Sequence, residues 1–309
     1  MMILNVGMKT LRRFAMIAAA AAFASTNAYA QADQCGRRCL LEFLTVYTDG
    51  LIMNDASHID AAKNVRVTSN GEKSKLGKGE VWGEISRMPY RQAFVDPVTG
   101  SAMMLTTVTN TPTRDAERWW FYMLRLKVED MKITEIEEIA FDGTLRGTPA
   151  ASMHLSDRMF DTVLPEDERV PRAELVKVAN QYFDVVSGTL DWREVPWHPE
   201  CQRYELATMT VNSAMLPESC GVEFENPRIK WPVKNRRIYI ADVERGVVMG
   251  VGHFTAPPDY PDNNESVVFE VFKVQDGLIR HIEAMFRGNN TQHKSGWPDI
   301  PGTAAPALE

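Results

Sequence analysis

The 309-residue sequence has only four cysteines, Cys35, Cys39, Cys201 and Cys220, with neither a C-x-x-C pair nor the histidine spacing of a zinc site. It has no nucleophile elbow, phosphate-cradling glycine loop, dinucleotide fingerprint or metalloprotease helix, which disfavours ATP, NAD, flavin and proteolytic chemistry. Basic residues are outnumbered, 34 Lys and Arg against 41 Asp and Glu, and they form no stripe. A polyanion such as DNA would be repelled on average. No apolar run is long enough to cross a bilayer comfortably. What is present is ordinary globular chemistry, 44% hydrophobic and 24% charged, enough for one large or two medium cores.

The N-terminus differs from the rest. Lys9, Arg12 and Arg13 precede an apolar run from Phe14 to Phe23, and Ala28-Tyr29-Ala30 has the small-x-small form of a cleavage site. Residues 1–30 therefore read as a signal peptide, and the mature chain as periplasmic or secreted. Its removal takes away three positive charges and no acids, leaving a balance of 31 − 41 = −10. In an oxidising compartment the four cysteines allow three connectivities. Proximity in the chain favours Cys35–Cys39 and Cys201–Cys220, although one helical turn holds the first pair awkwardly for a disulfide.

An internal repeat organises the remainder. Leu40, Phe43, Leu44, Tyr47 and Leu51 fall on one helical face, and Leu175, Val178, Ala179, Tyr182 and Val186 form a second such face, with Tyr182 lying 135 residues after Tyr47. Both helices carry Tyr-x-Asp, as Tyr47 with Asp49 and Tyr182 with Asp184. Further on the offset becomes 146: Arg91 matches Arg237, Asp96 matches Asp242, Gly100 matches Gly246 and Val128 matches Val274. The change from 135 to 146 implies 11 extra residues in the second half, expected between Ser213 and Pro227. Each half reads as one helix followed by short strands, with Asp276-Gly277 a tight-turn signal. The expected organisation is a first unit over 31–145, a Gly-, Pro- and acid-rich linker over 146–170, a second unit over 171–288 and a tail over 289–309.

A Y-x-D helix followed by antiparallel strands ending in K-V-x-D-x-x-I-x-x-I-E resembles the nuclear-transport-factor-2-like, or SnoaL-like, superfamily. More narrowly, the chain resembles a family of secreted microbial proteins built from two such units. Cys35-x-x-x-Cys39-Leu40, Val65-Arg66-x-Thr68-x-Asn70-Gly71, Asp242-x-Glu244-Arg245-Gly246 and Ser295-Gly296-Trp297 carry that likeness. The resemblance implies an α+β fold of two tandem cone-shaped units, each a curved antiparallel sheet wrapped around an N-terminal helix. It also implies an apolar pocket that in some relatives supports cofactor-independent lyase, isomerase or hydratase chemistry and in others only binds a ligand.

Acid–base chemistry in such a pocket needs ionisable groups pointing inward. Glu270 sits on the strand face of Val268, Phe272 and Val274, where the first half has Leu124; an outward strand face is the bland alternative. His281 replaces Glu135 and shares a face with Glu283, whose counterpart is Glu137. His253 could converge with His281, although a lone strand histidine is more often structural. Glu270, His281 and Arg237 are thus the expected catalytic set. Tyr182, Asp184, Arg203, His253, Glu283, Tyr90 and Arg91 are expected around a ligand. Arg66 is expected to correspond to Arg203, and Arg91 and Arg237 could instead pair with helix carboxylates. No metal or cofactor is expected. The expected partner is a small, hydrophobic, oxygen-bearing molecule, with self-association into a homo-oligomer left open. A non-catalytic binding protein is the alternative, and a pure interaction module the third reading.

Overall fold

The computed structural model describes residues 35–110, 118–143, 150, 159–211, 220–225, 230–256, 265–287 and 297. The expected signal peptide lies outside them, as does most of the tail. Helix α1 (Arg37–Met53) buries Leu40, Leu44, Tyr47 and Leu51. Helix α2 (Arg172–Ser187) buries Leu175, Val178, Ala179, Tyr182 and Val186. Each stops at a residue in the left-handed conformation, Asn54 and Gly188, types that tolerate it.

Twelve strands make up most of the rest. In the first half they are β1 (Ala61–Ser69), β2 (Glu72–Lys73), β3 (Arg87–Asp96), β4 (Ser101–Thr109), β5 (Trp119–Glu129) and β6 (Lys132–Asp142). In the second they are β7 (Trp197–Glu205), β8 (Thr208–Val211), β9 (Val233–Asp242), β10 (Val247–Thr255), β11 (Glu265–Gln275) and β12 (Leu278–Arg287). The two sheets have the same order, β2-β1-β6-β5-β4-β3 and β8-β7-β12-β11-β10-β9. The short β2 and β8 carry no signal strong enough to predict from the sequence.

The expected architecture is overturned. Strand dominates the described residues, with only two α-helices among them. Both sheets are mixed, because β1 runs parallel to β6 and β7 parallel to β12. Neither is an antiparallel sheet wrapped around an N-terminal helix. Each helix packs on one face of its sheet, α1 against β3 and β4, α2 against β9 and β10. The other faces pack on each other. Phe94, Met103, Leu105, Phe121 and Met123 meet Ile240, Val247, Met249, Val251 and Phe269 in one shared core. The layers run helix, sheet, sheet, helix, with a core in each gap. Burial on both faces explains why β4 and β10 carry no Asp, Glu, Lys or Arg on either side. The cone expectation came from the resemblance and from taking one helix followed by antiparallel strands as a sheet curled around that helix.

The seam between the halves is reciprocal. Arg37 at the start of α1 pairs with Asp242 at 2.6 Å, and Arg172 at the start of α2 pairs with Asp96 at 2.8 Å. Asp242 accepts from Val95 N through its other oxygen, and Asp96 accepts from Ala241 N through the oxygen that Arg172 holds, both at 3.3 Å. Such two-way matching is the signature of a self-complementary, two-fold-like interface. Each half also sends one aromatic across. Phe160 sits edge-on to His281, and Trp297 lies between the guanidinium groups of Arg66 and Arg125 while donating to Thr68 Oγ1.

Strand register shows where the extra residues lie. Val67 pairs with Ile136 as Arg203 does with Ile282, an offset of 203 − 67 = 136. Gln92 pairs with Leu105 as Arg237 does with Val251, an offset of 237 − 92 = 145. Beyond a shift near Tyr239, Val95 and Ala241 are 146 apart. Tyr90 and Lys234, which pair with Thr107 and His253, are 234 − 90 = 144 apart, so one residue falls before β7, eight between β7 and Lys234, and two are bulges inside β9. Two expected matches change as a result. Gln92, not Arg91, stands in the place of Arg237, and Val67, not Arg66, in the place of Arg203.

Candidate functional site

The helix-facing core of the second half holds a buried carboxyl. Glu270 projects from the middle of β11 toward α2, wholly buried, and its Oε1 accepts from Tyr182 Oη at 2.8 Å. Tyr182 is at the centre of the apolar face of α2, which fixes its hydroxyl over the sheet. Arg203, from β7, brings Nη2 to within 3.7 Å of the same oxygen. That arginine is also paired with Glu205 at 2.8 Å and with Glu223 at 2.5 Å. Glu223 belongs to a short 3-10 turn, Val222–Glu225, which follows Cys220. The Cys201–Cys220 disulfide ties this segment to β7, and Cys35–Cys39 forms the other bridge, as chain proximity favours.

Aromatic rings surround the carboxyl. Tyr182 is edge-on to Phe272, Trp197 and Phe224, and Phe224 stacks on Trp197 at 6.3 Å. Burial raises the Glu270 carboxyl to about 8, with Glu205 and Glu223 adding to the rise and Arg203 and the Tyr182 hydrogen bond opposing it. Burial likewise pushes the Tyr182 hydroxyl well above its usual range. At neutral pH Glu270 is therefore a carboxylic acid. Its second oxygen is buried and has no hydrogen-bond partner. The site grades from this acid to the partly accessible Arg203, Glu205 and Glu223 at its rim.

The structure does not bring the expected catalytic set together. Arg237 and His281 are on the seam side of their sheet, opposite Glu270. Arg237 donates to both oxygens of Glu137, Nη2 to Oε1 at 2.9 Å and Nη1 to Oε2 at 3.0 Å. Burial alone would raise Glu137, but Arg237 and Arg125 outweigh it and hold that carboxyl below its usual range. His281 is packed between Phe160 and Tyr204. His253 does not converge with it: their partners on β11 are Val267 and Lys273, six residues or about 20 Å apart along the strand. Glu283 is also in the seam, where Tyr90 reaches across to donate to it at 3.3 Å, and burial raises its carboxyl to about 8. Asp184 pairs with Arg236 at 2.5 Å, the neighbour of the expected arginine. Arg91 is exposed and bonds to its own strand through Met88 O. Of the expected residues, Glu270, Tyr182 and Arg203 form one site.

The first half has a carboxyl at the same spatial point, which the sequence reading missed. Leu124 and Glu138 are direct cross-strand partners, as are their counterparts Glu270 and Ala284. The acid has moved to the other member of one pair. Glu138 Oε1 accepts from Tyr47, Tyr122 and Trp82 at 2.8–2.9 Å. Strand alternation puts Glu138 on the face of Ile136 and Ala140, the same anomaly that singles out Glu270. Seeking residues present in one half only concealed it. Glu223 was missed because nothing in its local sequence distinguishes it from a solvated acid.

Among the described residues no group of three His, Cys, Asp or Glu could hold a metal ion, and no helix is long and apolar enough to cross a membrane. Residues 168–286 match a family described as Domain of unknown function (DUF8021). That stretch spans α2 and the second sheet, and so contains Glu270, Tyr182, Arg203 and Glu223. The chain matches no curated protein.

Proposed function

We propose that the second half is a cofactor-independent acid–base enzyme acting on a small, largely hydrophobic, oxygen-bearing molecule, with Glu270 as the proton-transfer group. The observation that carries this reading is the setting of Glu270, buried among aromatic rings beside Tyr182 and Arg203 with one oxygen unpartnered, where burial raises its carboxyl to about 8. A carboxyl that titrates near 8 can give a proton to an oxygen at neutral pH and take one from carbon at higher pH. Tyr182 would orient the acid, and Arg203 would anchor a ligand oxygen. The lyase, isomerase or hydratase class comes from the nuclear-transport-factor-2-like resemblance and is part of the proposal. So is action in the periplasm or outside the cell, a reading the two disulfides support.

The alternative is a non-catalytic binding protein. It is favoured by one observation: His281 and Arg237 are on the far side of the sheet, and the carboxylates nearest Glu270, Glu205 and Glu223, are both held by Arg203. A single experiment separates the two. The full chain is incubated in D2O with 2-tetralone, cyclohexanone and other enolisable ketones, and loss of α-hydrogen signal is followed by NMR. Enzyme chemistry predicts exchange that rises with pH to a plateau above about 8, and a loss of about 100-fold or more in Glu270→Gln. Exchange that is undiminished in Glu270→Gln sinks the catalytic reading. Ketones that raise Tm without any exchange leave the binding reading in its place.

A further inference from the structure

The connection between β8 and β9 is where the second half holds eight additional residues, and its described part, Cys220 to Glu225, packs on Tyr182 and Arg203, the two neighbours of Glu270. Phe224 meets Tyr182 edge-on at 5.9 Å. In the first half the corresponding connection brings Trp82 edge-on to Tyr47 at 5.8 Å. The two rings cover equivalent tyrosines in the same geometry, but they differ in what holds them. Trp82 is buried and donates its Nε1 to Glu138, so the covering residue is hydrogen-bonded to the acid itself. Phe224 has no donor, is only half-buried, and is held through its neighbour: Glu223 pairs with Arg203 at 2.5 Å, at the partly exposed rim.

We infer that residues 220–225 form a displaceable lid on the Glu270 site, latched by Glu223 on the guanidinium face of Arg203 that a ligand's anionic oxygen would take. This rests on the reading of Glu270 as the centre of the site. The latch is a carboxylate, so an incoming oxyanion that replaces it leaves the charge around Arg203 unchanged. Glu205 stays on the arginine throughout. The Cys201–Cys220 bridge keeps one end of the lid on β7, so that opening moves Glu223 and Phe224 without freeing the segment. The class of ligand that fits is a planar apolar body, to lie against Trp197 and Tyr182, bearing one anionic oxygen group for Arg203.

8-Anilinonaphthalene-1-sulfonate has that chemistry and becomes fluorescent on apolar burial. Titrated into the full oxidised chain, it should bind Glu223→Gln about five-fold more tightly than wild type, the factor expected when a partly exposed ion pair no longer competes. Phe224→Leu, which thins the cover but keeps the latch, should give a smaller increase. Glu225→Gln, whose partner is Arg193 rather than Arg203, should bind as wild type does. Arg203→Met should abolish the gain from Glu223→Gln. The inference is overturned if Glu223→Gln, with near-ultraviolet circular dichroism unchanged, binds no better than wild type. It is equally overturned if the gain survives Arg203→Met, since the dye would then be elsewhere. Dye binding needs no proton transfer. A Glu223 effect without ketone exchange would keep the lid and remove the catalytic reading, and exchange without a Glu223 effect would do the reverse.

Discussion

Tyr47 and Tyr182 occupy the same place in the two halves, and each donates its hydroxyl to a buried carboxyl on the facing sheet. Around Glu138 three donors converge on one oxygen, two phenols and an indole, and no cation is hydrogen-bonded to it. Around Glu270 there is one phenol, an arginine set back by 3.7 Å and two further carboxylates. The first arrangement saturates one oxygen of a buried acid with neutral donors, while its other oxygen is buried without a partner. The second also leaves Oε2 without a partner, but it gives Oε1 a single hydrogen-bond donor and puts charge at an accessible rim. Structural and reactive uses of one carboxyl thus differ in how many neutral donors hold it and in whether charged groups lead from it to solvent.

The seam repeats this contrast. Glu137 is gripped by Arg237 and Arg125, whereas its counterpart Glu283 has Tyr90, with Gln92 in the place of the arginine and Val271 in the place of Arg125. Both polar atoms of the Gln92 side chain are buried without a partner. Removing the gripped pair should have the largest effect. Arg237→Met should cost about 4 kcal/mol, read from urea denaturation, because it strips a buried carboxylate of its main counter-charge. A cost as small as that of an exposed pair would mean the seam does not depend on it.

Next comes the pair of buried acids. Glu138→Leu should cost about 3 kcal/mol, since it orphans three buried donors. Glu270→Leu, which installs the residue the first half has at that point, should cost under about 1 kcal/mol. Equal losses would erase the distinction between a structural and a reactive carboxyl. The pH dependence of stability should then separate Glu283 from Glu137. Glu283 binds its proton more tightly folded than unfolded, so its contribution is full below about pH 4.3 and is lost as pH rises toward about 8. Glu283→Gln should flatten that decline by about 2 kcal/mol between pH 5 and 7.5, and Gln92→Arg should do the same by supplying the missing cation. Glu137, with its carboxyl held below the usual range, should act in the opposite sense, destabilising only as the solution is made acid. A similarly small effect is expected of Trp297→Ala. Loss of its stacking on Arg66 and Arg125 should cost about 1 kcal/mol, seen as a small fall in Tm.

Both helices, the long strands and the duplication were legible in the sequence, because periodicity and constant spacing are local or pairwise properties. Glu270 was legible for a related reason: a charge on an otherwise apolar strand face breaks a local pattern. Its partner Arg203 was found, but through a match to Arg66 that the register replaces with Val67. Arg237 was misjudged because a one-residue bulge in β9 reverses which side of the sheet a side chain faces. His281 was misjudged because alternation says that two residues share a face, not which of two cores that face enters.

The sequence by itself determined two copies of one helix-and-strand unit, the stripe that buries each helix, and an anomalous acid in the second copy. All of these follow from the order of apolar and polar residues along short segments. Only the tertiary structure decided that both faces of each sheet are buried, that β1 and β7 enter parallel, and that a carboxyl lies under each helix tyrosine from opposite members of a strand pair. Those outcomes depend on register and on which surface meets which. A single shifted residue changes them without altering any local pattern.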